Sequence, residues 1–226
     1  MFNFDAFLSY FVNPFLLGGV GITIGLTIAT IAIGLALALP LALGSMSSHR
    51  FLSAPARFYI WVFRGTPLLV QIVIIYTGLP QLGLRFDVLT SAVLALSLNE
   101  AAYLSETIRG GFSAIAKGQV EAAKALSLSR FATLRLVTLP QVLRVIIPPL
   151  GNSVNGLLKA TSLASVISME ELMRRAQVLM QEKFEVLELY CVAACFYLVL
   201  TTLWDRVQMR LERHYGRGYA AARGAA

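Results

Sequence analysis

One stretch near the start of the chain restricts the folds available to it. No Asp, Glu, Lys or Arg occurs between Asp5 and Arg50, and residues 15–44 are nearly all apolar. About 20 apolar residues are enough for a helix to cross the hydrocarbon core of a bilayer. The stretch is too long for a secretory signal and no basic segment precedes it. We therefore predict a retained transmembrane helix.

The rest of the composition fits a membrane protein. Of the 226 residues only 14% are charged and 57% are apolar, whereas about a quarter of a soluble domain is charged. Further apolar stretches lie at about 58–80, 88–108, 145–166 and 189–205. Each can satisfy its backbone hydrogen bonds internally as a helix. The sequence predicts an all-α integral membrane protein of about five transmembrane helices, forming a single domain over 1–226.

Basic residues give the expected orientation. With five spans, most Lys and Arg fall on one side, in segments 50–64, 109–144 and 206–223. Loops rich in Lys and Arg stay on the cytoplasmic side, which predicts an external N-terminus and a cytoplasmic C-terminus. The net charge of +7 follows from this topology, so no nucleic-acid partner is expected.

The sequence carries no familiar enzyme signature. Phosphate-binding G-x-x-x-x-G-K-[ST], H-E-x-x-H and G-x-S-x-G patterns are all missing from residues 1–226. Work against a gradient would therefore draw on ions or on another subunit. Cys191 and Cys195 are either a metal or redox pair or two small apolar residues on one helix face. The second interpretation is favoured, because free Cys is commonly a buried hydrophobe.

A polar segment, "KGQVEAAKALSLSRFATLRLVTLP" (117–140), interrupts the apolar sequence. It predicts two short helices joined by a turn, with Ser129 as the N-cap of the second and Pro140 as its stop. The alternative is an ordinary basic cytoplasmic loop.

Four stretches in order carry a resemblance to a known family. "EAAKALSLSRFATLRLVTLP" (121–140) resembles the EAA loop of permeases in ATP-binding cassette (ABC) importers. "FRGTPLLVQ" (63–71), "NEAAYLSETIRGG" (99–111) and "LPQVLRVIIPPLGNSVNGLLKATSLAS" (139–165) resemble the polar amino-acid uptake branch, whose members include histidine, glutamine and arginine permeases. The tail "LERHYGRG" (211–218) is also similar. The resemblance implies the architecture of a type I ABC importer permease.

By this resemblance, the loop at about 117–140 couples the permease to a dimer of cytoplasmic ATP-binding subunits. The coupling residues would be Glu121, Ala122, Ala123, Lys124, Leu126, Ser127, Leu139 and Pro140. ATP and Mg would be bound by the ATPase, so this chain would hold no cofactor and would not itself be an enzyme. Ser127 stands where the family has a glycine. A glycine after a short helix usually adopts a left-handed conformation, which costs other residues about 1–2 kcal/mol.

The resemblance implies further partners. A second permease subunit, identical or paralogous, would complete the path, and a periplasmic or extracellular solute-binding protein would deliver the substrate. The complex would lie in the bacterial cytoplasmic (inner) membrane, in contact with lipid. The acidic stretch with Glu170, Glu171, Glu182, Glu185 and Glu188 would contact the binding protein or form a solvated loop.

Glu100 is the most unusual residue of the predicted spans. It precedes Arg109 by nine residues, which places it roughly 13 Å deep. An isolated carboxylate at that depth costs about 2.5–3.5 kcal/mol, so it should face a cavity or a partner. Ser97, Tyr103 and Thr107 share its helical face.

A second polar stripe contains Asn152, Asn155, Lys159 and Ser162. Two interpretations follow: Lys159 forms an internal ion pair with Glu100, or the two stripes bind a zwitterionic amino acid. In the second, the candidate substrate-binding residues are Asn99, Glu100, Tyr103, Asn155, Thr161 and Ser162.

Within this set, Glu100 would meet the ammonium group, and the hydroxyl groups of Thr161 and Ser162 would meet the carboxylate. Thr161 points away from the stripe on an ideal helix, so its role requires a local break. Ala160 occupies a slot that related permeases of basic amino acids can fill with an acidic residue. This argues mildly against a strictly cationic substrate.

"RGTPLL" (64–69) is expected to place Arg64 at the cytoplasmic end of the second span, with Pro67 starting the helix. Arg64 would be an interfacial anchor or part of a gate. The predicted function is ATP-driven import of a polar amino acid, or of a similar solute such as an opine or an ectoine-like compound. An ion-coupled transporter would show inverted repeats, and none is visible in the sequence. A membrane scaffold or sensor would not need Glu100 at mid-bilayer.

Overall fold

The computed structural model describes residues 2–223, with side chains as far as Tyr215. The last part of the 211–218 match therefore lies outside the described side chains. Within the described residues all regular structure is helical. The α-helices are α1 (Phe4–Tyr10), α2 (Pro14–Met46), α3 (Arg50–Gly65), α4 (Leu68–Val73), α5 (Val88–Ser113), α6 (Lys117–Ala125), α7 (Arg130–Thr133), α8 (Leu139–Ala160), α9 (Leu172–Lys183) and α10 (Val186–Arg223).

Four helical segments are long and apolar enough to cross a membrane: Pro14–Met46, Val88–Ser113, Arg130–Ile167 and Val186–Tyr215. A fifth span is possible if α3 and the helical segment Leu68–Leu82 count as one, although they meet at an angle of 106°. The prediction of an all-α protein with about five spans is confirmed. The second span is bent rather than straight.

The sequence "GTP" explains this bend. Thr66 is extended, with φ −118° and ψ 146°, because the ring of Pro67 disfavours helical geometry in the residue before it. Arg64 therefore lies at the end of α3, directly before the bend, and its place at the cytoplasmic end of the second span stays a prediction. Pro67 is the N-cap of α4 rather than its first residue.

A hydrogen-bonded network fixes the bend. The Gln71 amide nitrogen lies 2.9 Å from the Phe63 carbonyl oxygen and 2.8 Å from the Thr66 hydroxyl oxygen. The Asn99 amide nitrogen donates to the Phe63 carbonyl oxygen (3.1 Å) and to the Gln71 side-chain oxygen (3.0 Å). The polar backbone exposed by the broken helix is thereby satisfied, as a membrane interior requires.

Helix α5 is the most enclosed span and packs along α2. A Cβ added at Gly34 of α2 would lie 3.4 Å from the Glu100 Cβ. Further along the pair, Ala38 and Ala42 share a buried cluster with Leu104 and Ile108. Small residues on α2 let the two helices approach closely. This close packing holds Glu100 against α2.

The fourth span begins inside the polar loop. Helix α7 continues through a π-helical turn, Leu134–Thr138, directly into α8. The prediction that Pro140 stops the helix is therefore wrong, because the wider π turn accommodates the missing N–H and the ring of Pro140 in the first turn of α8. Pro148 and Pro149 also lie inside α8. The helix narrows to a 3-10 segment at Thr161–Ile167, which supplies the local break expected at Thr161.

Candidate functional site

Helix α6 ends in a left-handed turn at Ser127. The Ser127 N–H donates to the Lys124 carbonyl (2.8 Å), and the Leu128 N–H donates to the Ala123 carbonyl (3.1 Å). These two bonds form the Schellman motif. Ser127 has φ 55°, so the residue in the glycine position takes the left-handed conformation and carries its strain.

Helix α6 is held against the start of the fourth span. Ala123 is buried at 3% exposure, and the Gln141 amide donates to the Gln119 side-chain oxygen across 3.2 Å. Ser129 accepts a hydrogen bond from the Ala132 N–H at 3.2 Å, which confirms its prediction as an N-cap. Helix α6 is therefore packed against the start of the fourth span.

Most of the predicted coupling residues are exposed. Only Ala123 points inward; the exposed members are Glu121, Ala122, Lys124, Leu126, Ser127, Leu139 and Pro140. Leu126 is 75% exposed and Phe131, beyond the turn, is 70% exposed. Exposed apolar side chains rimmed by polar ones are typical of a protein contact.

Glu100 lies in the interior of the protein, with 8% exposure. Its Oε1 atom has no hydrogen-bond partner among the described residues. Lys159 is exposed, and the ion pairs of residues 2–215 do not include Glu100 with Lys159. The ion-pair interpretation of Glu100 is therefore not supported, and its carboxyl oxygen is left for another group.

A cleft of about 500 Å³ opens between α3, α5 and α8. It is lined by Arg64, Tyr103, Glu106, Thr107, Pro149, Asn152 and Ser153. The Ser153 side chain also lies beside the Glu100 carboxyl, so it connects the buried acid to the cleft. Tyr103 and Thr107 line the cleft as their shared face predicts, whereas Ser97 is buried.

The remaining predicted substrate residues bond within the chain. Asn99 belongs to the network at the bend, and the Asn155 amide donates to Asp205 of α10 across 2.6 Å. The fully buried Thr161 hydroxyl donates to the Leu158 carbonyl (2.9 Å), and the Ser162 hydroxyl donates to the Lys159 carbonyl (2.6 Å). The structure thus brings Tyr103 to the cleft, places Glu100 behind Ser153 and outside the lining of the cleft, and places the other four elsewhere.

An ionic cluster beside the cleft was not predicted from the sequence. Glu106 is bound by Arg109 through two hydrogen bonds of 2.7 and 2.8 Å, and Arg64 approaches it at 3.4 Å. The i,i+3 spacing of Glu106 and Arg109 is visible in the sequence. The approach of Arg64 depends on the bend at Thr66.

At the opposite end of the bundle, acidic residues have internal roles. Glu171 is fully buried and accepts bonds from the Met173 and Arg174 N–H groups and from the Tyr197 hydroxyl (2.7 Å). Burial raises the pKa of Glu171 above its ordinary range. Helix α9 is thereby capped and tied to α10.

Helix α1 is held at the same end of the bundle by hydrogen bonds. Glu185 accepts a bond from the Tyr10 hydroxyl, and Glu188 accepts one from the Asn3 N–H. Burial and the neighbouring Glu185 raise the pKa of Tyr10 to about 12. Of the five acids predicted at this end, Glu171, Glu185 and Glu188 accept hydrogen bonds within the chain, and Glu170 forms an ion pair with Arg175 at 3.7 Å.

Residues 2–215 offer no cluster of three or more His, Cys, Asp or Glu side chains that could hold a metal ion. Cys191 and Cys195 are half-buried free thiols. Their surroundings fit the interpretation as apolar side chains of α10.

Two curated relatives match most of the chain. The octopine transport system permease protein OccM of Rhizobium radiobacter is 41% identical over 207 residues, covering 87% of this chain and 84% of that protein. The arginine transport system permease protein ArtQ of Bacillus subtilis is 40% identical over 201 residues, covering 88% of this chain and 92% of that protein.

A solved structure shares the fold. The crystal structure of an amino acid ABC transporter with histidines contains a chain that is 36% identical, with a TM-score of 0.88, and the match covers 95% of this chain and 99% of that one. The predicted architecture of a type I ABC importer permease is confirmed. The family model described as "Binding-protein-dependent transport system inner membrane component" matches residues 30–217. The chain belongs to this family of inner-membrane components of binding-protein-dependent transport systems.

Proposed function

We propose that this chain is the permease subunit of an ATP-driven importer of a polar amino acid or a close analogue. The observation that carries the proposal is the exposed α6, seated on the same span that forms one wall of the cleft beside Glu100. The fourth span would thus link the contact with the ATPase to the cleft. The similarity to OccM makes an opine a second candidate substrate.

The exposed face of α6 is the proposed contact with the ATPase. Glu121, Ala122, Lys124, Leu126 and Ser127 would enter a groove on each ATP-binding subunit, with Leu139 and Pro140 at its edge. The buried Ala123 and the Gln141–Gln119 bond would then carry the movement into α7 and α8. ATP and Mg would be bound by the partner ATPase, and hydrolysis would take place there.

The proposed substrate site is the cleft with Glu100 behind it. The unpartnered Oε1 of Glu100 is the natural contact for a substrate ammonium group, because an opposite charge stabilises a buried carboxylate. Tyr103 would form the wall of the site. Asn99, Asn155, Thr161 and Ser162 would shape the helices around the site through the bonds they already make.

The charge distribution supports the proposed orientation. Arg57, Arg109 and α6 lie at one end of the bundle, which would be cytoplasmic. The C-terminus would lie on that side, and the end with α1 and α9 would face outward toward a solute-binding protein. Since the cleft is open on one side, a second permease subunit, identical or paralogous, would close it in the cytoplasmic membrane.

Charge reversal on α6 tests the proposal. Glu121→Lys should abolish ATP-driven uptake of radiolabelled amino acids into liposomes and should reduce co-purification of the ATPase. Glu182→Lys is the matched control, because Glu182 is an exposed glutamate of α9 at the opposite end. It should leave co-purification of the ATPase intact. Normal uptake by correctly inserted Glu121→Lys would refute the coupling role of α6.

A further inference from the structure

We propose that Arg64 binds the carboxylate of the transported amino acid, as a residue that determines substrate specificity. The inference rests on the proposed function. It names the side chain that would bind the substrate carboxylate in the same site where Glu100 would bind the ammonium group. From the sequence alone, the Thr161 and Ser162 hydroxyls were expected to bind the carboxylate. The bend at Thr66 brings Arg64 into the cleft instead.

The ionic cluster beside the cleft carries one positive charge in excess. Arg109 binds both carboxylate oxygens of Glu106, at 2.7 and 2.8 Å, whereas Arg64 reaches only one of them, at 3.4 Å. The charge of Glu106 is therefore balanced mainly by Arg109. The cluster therefore contains two cations and one anion. A substrate carboxylate would add the second negative charge and make the cluster neutral.

Arg64 is both accessible and held in position. Its side chain is 43% exposed, and its Cζ atom lies 5.3 Å from the centre of the Tyr103 ring. This cation–π contact holds the guanidinium over one wall of the cleft, and its remaining N–H groups are not used in hydrogen bonds to residues 2–215. A planar guanidinium with free donors matches a carboxylate through two parallel hydrogen bonds.

The hydroxyl groups of Thr161 and Ser162 are less suited to this task. Each already donates its proton to a helix carbonyl, of Leu158 and of Lys159 respectively. A carboxylate is an acceptor only, so it needs a donor. Thr161 is also fully buried.

Arg64 and Glu100 are both linked to the same stretch of α5. Glu100 and Tyr103 lie on successive turns of α5, about 5 Å apart along the axis, and Arg64 rests on Tyr103. Ser153 lies beside the Glu100 carboxyl and also lines the cleft. An ammonium group at Glu100 and a carboxylate at Arg64 would thus be held by one short stretch of α5 in a cleft of about 500 Å³, a typical size for a small-molecule site.

Paired ligands with and without the carboxylate provide the test. Binding of L-glutamine, L-arginine and their α-amides is measured by equilibrium dialysis on the assembled permease–ATPase complex in detergent, without binding protein. The wild-type complex should prefer the acid to the amide. Arg64→Gln should weaken binding of the acid at least about tenfold, the range for a hydrogen bond to a charged group, and should leave the amide unchanged. Arg64→Lys should fall between the two.

The control is Arg57→Gln, since the Arg57 guanidinium on the same helix donates to the Ser45 carbonyl outside the cleft. This variant should keep the wild-type preference for the acid. An unchanged preference in Arg64→Gln, or equal losses for acid and amide, would overturn the role of Arg64. A wild-type complex that binds neither amino acid nor amide would instead contradict the proposed substrate class.

Discussion

The side-chain amide of Asn99 donates to the side-chain oxygen of Gln71 across 3.0 Å, and this bond joins the centre of α5 to the start of α4. Both residues also donate to the Phe63 carbonyl. The second span is bent where this network holds it, and the bend places Arg64 in the cleft.

Removal of Gln71 should therefore loosen the bend. Gln71→Ala removes one acceptor of the Asn99 amide and one donor to each of the Phe63 and Thr66 carbonyls in a buried site, which should lower the free energy of unfolding by about 1–3 kcal/mol. Thermal unfolding of the purified chain in detergent provides the measurement. Gln181→Ala, at an exposed position of α9, is the control and should change little; equal melting temperatures for the two variants would contradict the role of the network.

Substitution of two adjacent glycines of α5 by alanine should have different effects on stability. A Cβ at Gly111 would lie 2.2 Å from the Ile146 side chain, whereas a Cβ at Gly110 would meet nothing within 4 Å. Gly111→Ala should lower the free energy of unfolding by about 1–3 kcal/mol, as overpacking does, and Gly110→Ala should not. Comparable stabilities of the two variants would show that α5 and α8 do not pack this closely.

Ser127→Gly should stabilise the end of α6. Ser127 has φ 55°, and glycine adopts this conformation without the penalty of about 1 kcal/mol that a side chain carries. Hydrogen exchange of the α6 amides should slow in this variant. Ser127→Ala is the control, because alanine keeps a Cβ and the strain; slower exchange in both variants would point to a cause other than backbone conformation.

The buried Glu171 should make stability depend on pH. Burial raises its pKa in the folded chain, so the folded chain holds this proton more tightly than the unfolded chain does. Stability should therefore decline as pH rises from the ordinary carboxyl range through the raised pKa. Glu171→Gln removes this ionisation, and its melting temperature should vary less across that range. Identical pH profiles for the wild type and the variant would contradict the assignment.

Features that depend on local sequence were predicted well. The apolar stretches predicted the spans. Ser129 was predicted as an N-cap from its own hydroxyl, and Ser127 was predicted to lie in a left-handed turn. Each of these features depends on residues within a few positions.

Features that depend on distant contacts were missed. Pro140 did not stop the helix because a π turn precedes it, and no residue pattern marks that turn. Glu171 was expected in an exposed acidic stretch, but it is buried and accepts a hydrogen bond from the Tyr197 hydroxyl of α10. Glu100 was correctly placed in the interior, yet the approach of Arg64 depends on a bend whose network joins residues 28 positions apart.

The most direct test of the importer account is ATP hydrolysis by the complete complex in liposomes. The chain would be reconstituted with its neighbouring permease, ATPase and binding protein and supplied with a panel of amino acids and octopine. The account predicts that one amino acid or close analogue stimulates hydrolysis, and that Glu121→Lys abolishes this stimulation. An assembled, ATP-competent complex that responds to none of these compounds would contradict it.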